Sequence, residues 1–530
     1  MKRIYFIVLC SISIVFASCT EEFLNRNPRS ELNIEGFYQT QTDMNMATLA
    51  IYAKLRDLYN GNLITLGEIR SDNTTYSWLA GNPIDERGID QFDQPLFESN
   101  DNLRSNWNNS YELIMRANTV LKNIGDASFE QEAYRIQYEA EARFLRALTY
   151  FWLNRVFGGT AIDGQLLGVC KVDRIITQAE SYEIGRAPLQ EIYDFIVEDL
   201  TFAATNLPKS YASADRGRVV QAGAAAMLAK VYMFMAGFPL NKGNEYYSKA
   251  IQQMEYVFTT YPEVQLAPTY QHLFSSPHNQ SLYTKNSVES FFEVQYKKGA
   301  PSERTSCGWN NNFAPRFDDG SVLAVGDAGG SNAPTSNMSN AYEYGDPRKY
   351  VSMRDGWRNK QGTWNNDKYV CKYYDIATSG SNNGNNWIEL RLADIYLLYA
   401  EALVRTGGDK NKALTHLNLI RERARNTAGD PAITDAPADL LKDYTLTDFA
   451  DDTEFLLAIE QERRVELAFE NHRWFDLVRT GRARACMELQ QFDDWGPFTW
   501  DDKQLMYPIP ETAMQSNPGK LIQNKGYTQL

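Results

Sequence analysis

Apolar residues recur every three to four positions through most of this chain, in stretches of roughly 15 to 25 residues, the period of an amphipathic helix. The spacing predicts helices over 41–59, 103–124, 130–157, 189–206, 219–236, 245–259, 388–406, 410–424 and 454–479. Period-two alternation is rare. Phe291-Phe292-Glu293-Val294-Gln295-Tyr296 is the best extended run and predicts a short strand. The stretch 262–386 interrupts the helical pattern and is rich in Asn, Ser and Gly, with Gly329-Gly330-Ser331-Asn332 as one extreme. Loops of that length inside a compact chain usually carry function. A shorter Pro-, Ala- and Asp-rich segment, 430–452, reads as a surface connection.

Two helical stretches follow one plan. Ala229, Tyr232 and Ala236 recur as Ala393, Tyr396 and Ala400, and a second helix then begins with Ala250 or Ala413. Small residues at these steps let paired helices approach closely. The unit from Leu390 to Arg423 is 34 residues long, the length of a tetratricopeptide repeat. A set of unrelated helical hairpins gives much the same hydrophobic pattern.

Composition narrows the class. With 43% apolar and 23% charged residues, disorder, collagen and a disulfide miniprotein are excluded. The net charge of −14 repels phosphate backbones, which argues against a nucleic-acid partner. Aromatic residues make up 13% of the chain, more than a core alone requires.

The N-terminus reads as an address. Lys2 and Arg3 precede the apolar run Ile4 to Phe16, which is too short to span a bilayer. The run ends in Phe16-Ala17-Ser18-Cys19, which resembles a lipobox and makes Cys19 the expected acylated first residue. Thr20-Glu21-Glu22 is similar to signals that send lipoproteins to the exterior face of the outer membrane. An ordinary secretory signal with an incidental cysteine is the alternative. After cleavage Cys170, Cys307, Cys371 and Cys486 remain beyond Cys19, with no CxxC and no metal spacing, so neither metal nor cofactor is expected.

The runs ELRLADIYLLYAEALVRTG (from Glu389), ALTHLNLIRERA (from Ala413) and ERRVELAFENHRWFDLVRTG (from Glu462) resemble the helix pairs of SusD/RagB-type nutrient-binding lipoproteins. EARFLRALTYFWLNRVFG (from Glu141), RAPLQEIYDFIVEDL (from Arg186), AAAMLAKVYMFMAG (from Ala224), NSVESFFEVQY (from Asn286) and YPIPETAMQSNPGKLIQNKGY (from Tyr507) extend the resemblance along the mature chain. The tail has Lys525 where the family often has Pro.

The resemblance implies an all-α, tetratricopeptide-like hairpin scaffold with a loop-rich insertion that binds an oligosaccharide. It divides the chain into a signal peptide (1–18), a lipid-anchored tether (19–40) and one SusD-like domain (41–530) containing the insertion 262–387. It also implies a partner, a SusC/RagA-like TonB-dependent outer-membrane transporter, over which the lipoprotein sits as a hinged lid. A sugar offers an apolar C–H face and a hydroxyl rim, so its site needs aromatic platforms beside forked polar groups. The early polar loop supplies Asp72, Asn73, Tyr76 and Trp78. The insertion supplies Tyr283, Trp309, Asn310, Arg354, Trp357 and Trp364. Trp309, flanked by Gly308 and three asparagines, is the sharpest of these, expected as an exposed indole. For each loop tryptophan local packing is an equal reading, and Asp72 and Asn73 also suit a simple turn. Tyr296 and Trp152 lie on regular elements and are expected in the core. His472-Arg473-Trp474-Phe475-Asp476 reads as helix packing with surface ion pairs.

Three rival readings share parts of this pattern. A glycoside hydrolase needs two carboxylates facing each other across an aromatic cleft. Pairs such as Asp318-Asp319 or Asp85-Glu86 are sequence neighbours and seldom face one ligand. His272, His278, His416 and His472 show no HExxH spacing, and no GxSxG or P-loop occurs. A helical-repeat interaction scaffold shares the fold and differs in what the loops do. Peptide cargo remains an alternative to glycan within the same architecture.

Overall fold

The computed structural model describes residues 36–60, 65–76, 84–92, 96–275, 281–299, 305–316, 318–323, 329–375, 382–427, 441–489 and 499–529. Cys19 and Trp78, together with the signal segment and most of the tether, lie outside the described residues.

Ten helices carry the scaffold: α1 (Gln41–Asn60), α2 (Asp101–Asn123), α3 (Glu132–Phe157), α4 (Leu189–Asn206), α5 (Gln221–Ala236), α6 (Asn244–Thr260), α7 (Leu392–Arg405), α8 (Lys410–Arg425), α9 (Asp452–Glu466) and α10 (Arg473–Arg479). Several start on side chains that accept otherwise orphaned backbone N–H groups. Asn100 accepts from Asn102 and Leu103, Asp409 from Asn411 and Lys412, and Asp451 from Thr453 and Glu454. Neighbours in sequence pack as neighbours in space: α1 on α2, α2 on α3, α3 on α4, α4 on α5, α5 on α6, α6 on α7, and α7 on both α8 and α9. The two repeated units are thus the hairpins α5–α6 and α7–α8, stacked through α6 and α7. Helix α5 is apolar on nearly every side, as a helix enclosed by neighbours must be. Its Ala224, Ala225, Ala226 and Ala229 are fully buried and let α4 and α6 close in on both flanks. No described helix is long and apolar enough to cross a membrane.

Two expected helices are corrected. The stretch 388–406 begins as a strand: β11 (Trp387–Arg391) pairs antiparallel with β5 (Ser290–Val294), Trp387 opposite Val294 and Leu390 opposite Phe292. Backbone pairing with a distant segment outweighs the local helical period there. Helix α7 starts only at Leu392. The expected helix 454–479 is broken at 467–472, where Phe469 (φ 65°) and Asn471 (φ 64°) adopt left-handed conformations. Buried Glu68 stabilises the break, its carboxylate accepting from Phe469 N at 3.1 Å and Asn471 N at 2.9 Å. Tyr296 and Trp152 are buried as expected. Cys170 and Cys307 are buried free thiols, Cys371 is buried, and Cys486 is half-buried and free.

The remaining strands are short. β2 (Thr160–Ile162), β3 (Gln165–Cys170) and β4 (Arg186–Pro188) form a small sheet against α4. Opposite the long helices, β1 (Thr74–Thr75) pairs with β6 (Ala333–Pro334), β7 (Met353–Arg354) with β10 (Tyr369–Val370), and β8 (Trp357–Arg358) with β9 (Trp364–Asn365). β6 packs on β10, so these pairs form one loop-bearing layer.

Candidate functional site

Among the described residues, Trp364 is the tryptophan this layer leaves open. The β8–β9 hairpin places Arg358 opposite Trp364 and Trp357 opposite Asn365. Its turn is built by Asn359, whose side-chain oxygen accepts from Gln361 N and Thr363 N, and by Gly362 at φ +81°. The Trp364 indole packs against Gly356, where a Cβ would stand 2.5 Å from the ring and 2.4 Å from the Asn365 carbonyl. Only glycine permits that approach. Trp364 Nε1 donates to Asn366 Oδ1 at 2.8 Å, and the Arg358 guanidinium lies 5.5 Å from the ring centroid. The residue keeps 50% exposure, a ring held by glycine, amide and guanidinium with apolar surface left for solvent. Lys360 N donates to Asp319 Oδ2 at 2.8 Å and ties the hairpin tip to the preceding loop.

The other expected site residues fall elsewhere. Trp309 is corrected: it is 3% exposed, its ring 4.7 Å from Tyr296 and 5.3 Å from Trp387. The bridge between Cys307 and Asn383 draws its short helix, Trp309–Phe313, onto the core instead of freeing the indole. The side chain of Asn310, in that helix, lies outside the described residues. Trp357 is corrected likewise, buried with Tyr369 and Cys371 beneath its hairpin. Arg354 donates from Nη1 to the carbonyls of Tyr350 and Met353, and Tyr283 accepts at its hydroxyl from Asn386 N at 3.1 Å. Both are engaged within the fold.

Asp72 and Asn73 are corrected from ligand contacts to struts. Asp72 is buried and receives Arg473 Nε at 2.7 Å and Nη2 at 2.8 Å, with Arg464 Nη2 at 3.3 Å. Burial opposes its charge, yet Arg464 and Arg473 together hold the carboxyl well below the usual range. Asn73 donates to Glu68 Oε1 and accepts from Arg464 Nε. These bonds orient β1 and the chain leaving it at Tyr76, which is half-buried with its amide donating to Asp90 Oδ2 at 2.9 Å. Burial and Glu86 raise the Tyr76 hydroxyl pKa, and nearby Arg316 partly offsets them.

Beneath this layer runs a buried ionic floor that sequence reading placed at the surface. His472, Arg473 and Asp476 are all buried. Glu466 on α9 accepts from Arg348 at 3.0 Å and Arg391 at 2.5 Å, and also pairs with Arg423. These three cations hold its carboxyl far below the usual value against the pull of burial. Lys372, pushed down to about 8 by burial, reaches Glu470 and the Tyr270 hydroxyl. Arg348, at the start of a short helix, and Lys372 thus pin the insertion to the helical scaffold. Sequence reading missed Arg358, Asn366 and Gly356. The available signal was a tight Asn–Gly turn between two tryptophans, 357 and 364.

The chain matches two family models, "SusD family" over residues 275–527 and "Starch-binding associating with outer membrane" over 22–233. It is 26% identical over 549 residues to SusD-like protein P2 of Formosa agariphila, covering 99% of each chain. Its fold is similar to that of a SusD superfamily protein from Parabacteroides distasonis (TM-score 0.74, 24% identity, covering 94% of this chain and 100% of that one). It is also similar to surface glycan-binding protein A from Bacteroides thetaiotaomicron in complex with laminarihexaose (TM-score 0.69, 21% identity, 92% and 100%). The two models, over residues 22–233 and 275–527, together account for most of the sequence, and the chain belongs to the SusD/RagB family.

Proposed function

We propose that this protein is a cell-surface lipoprotein that captures oligosaccharide on the Trp364 face and delivers it, without catalysis, to a SusC-like TonB-dependent transporter in the outer membrane. The observation that carries the reading is the half-exposed Trp364 ring, fixed against Gly356 with Arg358 and Asn366 at its edge. That geometry meets the two demands of a sugar, an apolar platform and adjacent forked donors. One stacked ring contributes about 0.5–1.5 kcal/mol beyond area burial, so further contacts are required. Tyr76 and Trp78 are the partners we assign. The laminarihexaose complex of the B. thetaiotaomicron relative and the family description of starch-binding at the outer membrane support the glycan-binding reading.

In this reading Cys19 carries the lipid, 19–40 is the tether, and 262–387 is the ligand-bearing insertion of one domain spanning 41–530. Affinity electrophoresis of the domain against a panel of neutral and acidic polysaccharides tests it. Retardation by at least one polysaccharide, lost in Trp364→Ala, is expected, with no reducing ends released. Retardation unchanged in Trp364→Ala overturns the assignment of the face. Release of reducing sugar overturns the binding-only reading.

A further inference from the structure

A cavity of about 210 Å³ opens where α7, α9 and α10 meet, on the helical side of the Asp72 strut. Its lining carries six arginines, Arg405, Arg463, Arg464, Arg473, Arg479 and Arg482, against the three acids Glu401, Glu460 and Asp476. Asp72 and Asp394 pair with lining arginines from behind, so in a chain of net charge −14 the cavity is lined by an arginine-rich network close to local balance.

The six divide by how their N–H groups are used. Arg463, Arg473 and Arg479 each engage all three guanidinium nitrogens with protein acceptors. Arg463 bonds Asp476 and the Asp394 carbonyl, Arg473 bonds Asp72 and Glu460, and Arg479 bonds Asp476 and Glu401. They form a neutralised floor. Among the described residues the other three are only partly used. Arg405 donates through Nε alone, to Glu401 at 2.7 Å, and Arg482 through Nε alone, to Glu460 at 3.2 Å. Arg464 donates through Nε to Asn73 and through Nη2 to the Asp72 carbonyl, which leaves Nη1 without an acceptor among the described residues. Side-chain exposure falls from 39% at Arg482 through 26% at Arg405 to 8% at Arg464, so unused donors run from the mouth to the buried depth. A guanidinium N–H that faces a cavity gains a stronger, charge-assisted bond when an anionic acceptor takes the place of solvent. Burial and the neighbouring charge of Arg473 hold Arg464 below the usual arginine value despite Asp72. Planar guanidinium forks converging on a small concavity are the arrangement that recognises tetrahedral oxyanions.

We propose that this cavity binds a small oxyanion, a sulfate or phosphate group, either free or carried as an ester on a sugar. The site is independent of the Trp364 face, and by engaging Arg464 a bound anion braces Asn73 and Asp72 from behind.

The test is calorimetric titration of the intact protein with sodium sulfate, sodium phosphate, glucose 6-sulfate and glucose, at constant ionic strength set with sodium chloride. The variant is Arg405→Gln with Arg482→Gln, both partly exposed and each contributing one hydrogen bond; should the pair lose its cooperative melt, Arg482→Gln alone carries the comparison. One-to-one binding of an inorganic oxyanion or of glucose 6-sulfate, absent for glucose and weakened about ten-fold or more in the variant, is the expected result. The tighter of the free anions and the ester identifies the source of the group. No saturable binding of any of the three anions up to about 10 mM, binding unchanged in the variant, or equal binding of glucose overturns the proposal.

Discussion

Arg473 and Asp72, 401 positions apart in the chain, form a bidentate ion pair with both partners buried, Nε to Oδ1 at 2.7 Å and Nη2 to Oδ2 at 2.8 Å. The pair joins the early polar loop to the last helix of the scaffold. It fixes the direction in which the chain leaves toward Tyr76.

Breaking it from the cationic side takes the bidentate partner from a buried carboxylate that Arg464 also approaches at 3.3 Å. Arg473→Met is expected to cost about 3 kcal/mol of unfolding free energy, since removing one member of a buried pair typically costs 3–5. Urea denaturation followed by circular dichroism measures it. A loss under about 1 kcal/mol contradicts the role assigned to the pair.

Trp309 and Trp364 should separate cleanly. Trp309→Ala empties a site walled by Tyr296, Tyr373 and Trp387 and is expected to cost about 3–5 kcal/mol of stability. Trp364→Ala removes a half-exposed ring and should leave stability within about 1 kcal/mol while abolishing polysaccharide retardation. Paired thermal melts and affinity gels check both, and a reversed pattern refutes the division.

Gly356 offers a subtler probe. A methyl group there meets the Asn365 carbonyl at 2.4 Å and the Trp364 ring at 2.5 Å, so Gly356→Ala must displace the indole or the hairpin. Glycan affinity is expected to fall by about three-fold or more, within the roughly 0.5–1.5 kcal/mol of one aromatic contact. Full retention of affinity shows that the ring position does not matter.

Glu68 sets a pH dependence of unusual sign. Burial raises its carboxyl to about 7, although Asn73 and the backbone of Phe469 and Asn471 hydrogen-bond the charged form and Lys372 favours it. Between an unfolded value near 4.5 and about 7 the folded chain holds the proton more tightly. This group's contribution to stability therefore declines as pH rises through that window, by up to about 1.4 kcal/mol per pH unit. Glu68→Gln removes the slope. Chemical denaturation of both proteins at pH 5, 6 and 7 should show the wild-type value dropping relative to the variant; a constant difference sinks the assignment.

Local pattern carried the helices well, since α4 runs over 189–206 as the spacing predicts and α1, α6 and α8 differ by a residue or two at their ends. It failed where a remote partner supplied the decisive bond. Trp387–Arg391 has the period of the helix that follows, but pairing with Ser290–Val294 draws it into a sheet. The break after α9 depends on Glu68, some 400 positions upstream. The ion pairs expected on the outside of α10 are inside because loops and helices close over both of its flanks.

The candidate site was legible as a list and illegible as a place. The residue types in the loops marked the chemistry, and of the described tryptophans named in advance only Trp364 keeps its ring open.

The order of amphipathic segments, the acidic balance and the family motifs were determined by sequence alone, because periodicity, charge and spacing are properties of neighbours. Which indole faces water, which carboxylate is neutralised and where arginines are left with open donors were decided only by tertiary structure. Exposure and pairing depend on what the rest of the chain brings alongside, and here those partners lie tens to hundreds of residues away.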